Sequence, residues 1–242
     1  MLYLLVPIIA FMYASVGFGG ATGYLAAMSL FDLPPALMAS TALMLNILVA
    51  SVSFSAFYQA GHLRPRLLFP FLVTSVPAAF IGGYFKIHDA VYVILLYSVL
   101  TFVALRLLFF STQKDERPIL QAPPRLAALA IGLGIGLLSG MVGIGGGIFL
   151  SPVIILAHWG TSQQASAVSA AFIVLNSISG LGGRVLGGTF VLDSLSLTLV
   201  PLGLLGALLG SYSGAKRLSS LNLQRALGLV MLFIVGTYWF RS

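Results

Sequence analysis

Apolar residues gather along the chain into eight long stretches, at about 2–30, 36–60, 67–85, 90–110, 125–157, 165–183, 191–214 and 222–240. Short polar intervals separate them. Most are near the roughly 20 residues a helix needs to cross the hydrocarbon core of a bilayer. The pattern predicts an all-α polytopic membrane protein. The first and fifth stretches are too long for one upright crossing and too short for two, and both carry a cluster of glycines.

The stronger cluster is Leu138 to Leu150, LSGMVGIGGGIFL, with Gly140, Gly143, Gly145, Gly146 and Gly147. A weaker counterpart, MYASVGFGGATGY, lies 126 positions earlier and holds Gly17, Gly19 and Gly20. Each glycine in a helix interior costs roughly 1 kcal/mol against alanine, so such clusters predict breaks rather than plain helix. Inside hydrocarbon a broken backbone persists only where protein or a water-filled cavity satisfies its freed groups. The expected setting is a binding site near the membrane midplane, where half-helix N-termini turn positive dipole ends toward an anion. Close helix packing is the competing reading, since small residues four apart let helices approach. It is preferred for Gly132, Gly136, Gly206 and Gly210; runs of consecutive glycines do more than packing requires. No Gly-Lys-Ser/Thr follows the cluster, so it is not a phosphate loop.

The long polar interruption Ser111 to Pro124, STQKDERPILQAPP, divides the chain into similar halves. Aligning Gly19-Gly20 with Gly145-Gly146 gives an offset of 126, Asn46 with Asn176 gives 130, and Gly82 with Gly210 gives 128. The expected plan is a tandem duplication of a four-segment unit: a first transmembrane repeat over 1–112, a cytoplasmic linker over 113–124 and a second repeat over 125–242. If all eight stretches cross, eight basic residues share one side against Lys86, Lys216, Arg217 and Arg225. If the two glycine-broken stretches re-enter as hairpins, the repeats become pseudo-symmetric inverted repeats, and nine basic residues oppose Lys86, Arg184 and Arg241. The positive-inside rule favours the second arrangement.

Composition agrees: 59% of the 242 residues are hydrophobic and 7% charged, against about 25% charged in a typical soluble domain. No Lys or Arg precedes Arg64, so the first apolar stretch lacks the basic region of a cleaved signal peptide. The net charge of +7 reads as topology signals and contacts with anionic lipid, because the basic residues are scattered rather than clustered for nucleic acid. Cysteine is absent, which excludes disulfides and thiol catalysis.

The second stretch of each half carries a small and polar stripe: Ala39, Asn46, Ala50 and Ser53, matched by Ser169, Asn176, Gly180 and Gly183. A buried Asn both donates and accepts. Asn46 and Asn176 are therefore candidates to clamp the broken segments or to touch a ligand oxygen, beside an interhelical bonding role. Ser40, Thr41, Ser51, Ser55 and Gln59 face the other way and read as packing residues. Tyr84 and Tyr212 read as anchors at span ends. Every Asp, Glu and His falls in a loop or at a span edge, so the chain lacks the usual marker of a proton relay or cation pathway. Nothing calls for a metal or cofactor, and no Ser-His, Asp-Asp or His-Glu constellation suggests an enzyme. Arg106 and Arg184 are expected to snorkel to the interface, with Arg184 a possible vestibule residue for an anion.

Taken together, SGMVGIGGGIFLSPVIIL, its counterpart SVGFGGATGYLAAM, the Asn-bearing second stretches and the duplicated plan resemble the sulfite exporter TauE/SafE family of membrane permeases. The similarity covers nearly the whole chain. It implies a permease of the bacterial cytoplasmic membrane that moves a small sulfur-containing oxyanion, such as sulfite or an organosulfonate, in the direction of export. Backbone donors at Gly19, Gly20, Gly145, Gly146 and Gly147, with Asn46 and Asn176, suit that charge. Ala21 stands where a full glycine triplet would continue, so the two half-sites are expected to contribute unequally. An anion channel has the same architecture and a membrane-embedded assembly factor is the remaining alternative.

Overall fold

In the computed structural model, residues 1–16, 18–109, 121–214 and 220–239 are described, and among them there are ten helices and no strand. They are α1 (Leu2–Val16), α2 (Ala21–Ser29), α3 (Pro35–Gln59), α4 (Pro65–Tyr84), α5 (Asp89–Phe109), α6 (Arg125–Val142), α7 (Gly147–Leu156), α8 (Ser162–Leu186), α9 (Ser194–Gly214) and α10 (Ser220–Trp239). Six of them, α3, α4, α5, α6, α8 and α9, are long and apolar enough to cross a membrane. Most of the 113–124 linker, the Tyr212 side chain, Lys114, Arg117, Lys216, Arg217 and Arg241 lie outside the described residues.

Local sequence sets most helix starts. Proline opens α3 and α4 at their first turns, where its missing N–H costs nothing. Thr161 begins α8 with a capping box, its hydroxyl accepting from Gln164 N and the Gln164 side chain accepting from Thr161 N. Asp193 receives Ser196 N at 2.8 Å before α9. The starts of α2 and α7 differ: Gly20 and Gly146 precede them in the left-handed region, and neither has a side-chain cap.

The long first and fifth apolar stretches each yield two helices, and both turn back. A Cβ placed on Gly23 of α2 would meet Ile9 Cγ2 at 2.5 Å and the Tyr13 ring at 2.9 Å. Tyr13 Oη and Thr22 Oγ1, on opposite sides of the turn, are 2.8 Å apart. In the second pair, Gln121 N donates to His158 O at 3.0 Å, so both ends of the α6–α7 segment lie on one face of the bundle. On the other face Pro35 and Ala36, just after α2, share a cavity with Lys86 and Gly188.

The principal contacts join the two halves of the chain: α4 packs on α6 and α8, α1 on α9, α3 on α8 and α9, and α5 on α10. Glycine makes the tightest crossings possible. A Cβ on Gly132, Gly136 or Gly140 would run into the backbone oxygens of Phe71, Ser75 and Ala79 in α4. Gly206 and Gly210 of α9 sit the same way against the carbonyls of Pro7 and Phe11 in α1. The packing reading of Gly132, Gly136, Gly206 and Gly210 agrees with these contacts. The opposite face of α3 also does more than fill space, because Thr41 bonds Ser196 at 2.7 Å and Ser40 accepts from Val191 N at 3.2 Å.

Candidate functional site

The two glycine breaks meet at one side chain. A Cβ on Gly19 would lie 2.8 Å from Asn46 Oδ1. A Cβ on Gly145 would lie 2.8 Å from Asn46 Nδ2 and 2.9 Å from Ser177 Oγ. Asn46 is thus wedged from α3 between the α1–α2 turn and the α6–α7 turn, with 0% of its surface exposed. Neither end of its carboxamide has a hydrogen-bond partner. Ile173 of α8 closes the same space against Gly19, Gly145 and Gly147.

The backbone geometry of the turns requires glycine. Gly20, Gly143, Gly145 and Gly146 all have φ between +76° and +90°, a region closed to most side chains. Those conformations let α6 stop at Val142 and α7 start at Gly147 within four residues. Among the described residues, the amides of Gly19, Gly20, Gly145, Gly146 and Gly147 donate to no backbone carbonyl. With α2 and α7 both uncapped, two positive helix ends open into the protein interior. Every residue of α2 is buried.

Asn176 is placed differently from Asn46. Its Nδ2 donates back to Phe172 O at 2.8 Å in its own helix, leaving Oδ1 buried and unpartnered. It lies on α8 between Ile173 and Ser177, both of which touch the glycine turns. Gly146 faces Ile135 and Phe172, and Gly20 faces the Tyr24 ring. Gly19, Gly145, Gly147 and Asn46 thus share one space, bounded by Ile173, whereas Gly20 and Gly146 face those other side chains and the Asn176 amide turns back onto its own helix. A small cavity, about 10 Å³, is lined by Tyr13, Phe18, Gly19, Gly20, Thr22, Ile144, Ile148 and Ile173 among others, room for about one water.

Both arginines that sequence reasoning sent to the interface are instead inside the bundle, Arg106 at 5% and Arg184 at 6% exposure. Arg184 turns inward because α6 ends in open carbonyls. Its Nη2 donates to Gly140 O at 3.2 Å and Met141 O at 2.7 Å, a favourable cation at a negative helix end. Tyr92 Oη donates to the next carbonyl, Val142 O, at 3.1 Å. Arg184 and Tyr92 also line a cavity of about 190 Å³ with Lys86, Asp89 and Thr189, so Arg184 borders that cavity while serving α6. Arg106 sits with its guanidinium carbon 5.5 Å from the centre of the Phe18 ring.

Ser177, Ile173, Tyr92 and Arg106 were not singled out as site residues by sequence pattern. For Arg106 the signal was present, since a charge within an apolar stretch is rare; for Ile173 nothing distinguished it from a packing residue.

The family described as sulfite exporter TauE/SafE matches residues 2–238. The chain belongs to this family. It is also 34% identical over 234 residues to a probable membrane transporter protein, y4hK, of Sinorhizobium fredii, covering 95% of this chain and 93% of that one. No solved structure matches. The TauE/SafE chain described here is therefore a multi-pass membrane transporter.

Proposed function

We propose that this transporter exports a small sulfur-containing oxyanion, such as sulfite or an organosulfonate, across the bacterial cytoplasmic membrane by alternating access. The observation that carries the reading is the convergence of two uncapped helix starts on the unbonded carboxamide of Asn46. Free amides and a carboxamide N–H₂ suit an anion. The acidic residues of the described chain, Asp32, Asp89 and Asp193, stand at helix ends, where none can hold a cation at the breaks. In this reading Gly19, Gly20, Gly145, Gly146 and Gly147 supply backbone donors and close approach, while Asn46 and Asn176 hold the turns and meet the substrate.

The two halves, 1–112 and 125–242, act as inverted repeats joined by a cytoplasmic linker, 113–124. The reciprocal pairing of α6 with α4 and of α1 with α9, and the turning back of both broken segments, support this arrangement. One half rocks against the other to expose the site to each side in turn. The vestibule at Lys86 and Arg184 draws the anion on one face. At an inside-negative potential each departing negative charge gains about 2.3 kcal/mol per 100 mV, so uniport suffices for export.

Anion flux measured in proteoliposomes under an imposed potential tests the reading. Saturable, potential-driven flux of sulfite or sulfoacetate supports it, as does its loss in a Gly146→Leu plus Asn176→Leu variant that still elutes as folded protein. Unchanged flux in that variant removes the site assignment, and unsaturable single-channel currents would make the protein a channel.

A further inference from the structure

A charge with no partner lies directly beside the first glycine turn. Arg106 of α5 is buried, and neither its Nε nor its Nη1 has a hydrogen-bond partner. No carboxylate of the described residues pairs with it. With the buried Tyr13 as a further neighbour, the guanidinium lies over the aromatic face of Phe18. That attraction is far smaller than the desolvation cost of a buried guanidinium. Arg184, at the second break, offers the internal comparison: its Nε is also unpartnered, but its Nη2 is engaged by two carbonyls of α6. An ion kept inside the protein with open donors is what an incoming anion would satisfy.

Phe18 connects this charge to the candidate site. The ring lines the small cavity together with Gly19, Gly20, Ile144 and Ile173, whereas Arg106 touches the ring and does not line the cavity. Building on the anion-transport reading above, we propose that Arg106 is the positive charge that recognises the transported anion, screened by the Phe18 ring until that ring moves aside. The ligand class is a compact oxyanion able to take two guanidinium N–H groups, which a sulfite or sulfonate head does and a halide does not. The two breaks then have separate duties: Arg184 holds the end of α6, and Arg106 meets the cargo.

The test is thermal stability of the purified full-length protein titrated with sulfite, sulfoacetate and chloride. The variants are Arg106→Met, Arg106→Gln, Arg106→Lys, Phe18→Leu and Asn46→Leu. In Arg106→Met the midpoint without ligand should be equal or higher, because an unpaired buried charge is gone. Its apparent affinity for sulfite should be about tenfold to a hundredfold weaker. Arg106→Lys should recover part of that loss, and Phe18→Leu should bind the anion more tightly by uncovering the guanidinium. If Arg106→Met lowers the midpoint and leaves sulfite affinity unchanged, Arg106 is a structural charge; the proposal fails and the transport reading stands. Loss of fold in both Arg106→Met and Arg106→Gln would overturn it in the same way. If Asn46→Leu loses the response and Arg106→Met keeps it, the site is correct and the charge lies elsewhere. A wild-type protein that responds to no oxyanion would overturn the transport reading itself.

Discussion

Asn46 presses its carboxamide against Gly19 on one side and Gly145 on the other, and bonds to neither. Replacing a buried, unbonded polar group by an apolar one of similar size is close to neutral for stability. Asn46→Leu should therefore keep the thermal midpoint within about 1 kcal/mol of wild type while abolishing sulfite-induced stabilisation. Gly145→Ala is the opposite case: its φ of +76° and the 2.8 Å approach to Asn46 Nδ2 leave no room for a methyl group. A loss of about 1–3 kcal/mol is expected, seen as a lowered midpoint with and without ligand. At this scale the sequence was readable wherever a residue type carried its own message. The glycines announced positive φ, and the paired asparagines announced buried polar groups at one register. It was unreadable where the message depended on a distant neighbour. Arg106 and Arg184 look equally able to reach the interface until the carbonyls of α6 and the ring of Phe18 are set beside them.

Helices here are matched to one another through missing side chains. Along α6, Gly132, Gly136 and Gly140 lie on the backbone of α4, whereas a Cβ on Gly134 would meet nothing within 4 Å. Gly134→Leu should fold and run as wild type in size-exclusion chromatography. Gly136→Leu should separate α6 from α4 and cost at least about 1–3 kcal/mol, with most of the protein lost to aggregation. The spacing of four was legible in the sequence, and so was its meaning as a packing signal. Hydrophobic runs also located the elements well, since each of the six long helices overlaps a predicted stretch. What the runs did not contain was the direction taken after each break. Apolarity along 125–157 is the same for a helix that continues and for one that returns, and only contacts such as Gln121 with His158 distinguish them.

For the whole molecule, the returning segments have a topological consequence that can be measured. The native chain has no cysteine, so single substitutions can be labelled without background. With the basic residues Arg64, Arg66 and Arg125 on the cytoplasmic side, His62→Cys and His158→Cys should both react only from that side. His88→Cys and Gly188→Cys should react only from outside. Opposite labelling of His62→Cys and His158→Cys would mean that the α6–α7 segment crosses fully. The same fold-back explains why the positive-inside count alone left two arrangements close together: it changes the side of Arg184, Lys216, Arg217, Arg225 and Arg241, and leaves the others in place.

The narrowness of the space between the breaks, about 10 Å³, bears on how the cell's membrane stays energised. A file of hydrogen-bonded waters needs a continuous passage, and a gap holding about one molecule interrupts it at this point, so among the described residues the space between the breaks gives protons no wire to hop along. Under the alternating access proposed above, cargo passes only when the protein rearranges, on the microsecond-to-millisecond scale of such collective motions, and between those events the voltage that drives respiration and uptake would not drain through the breaks.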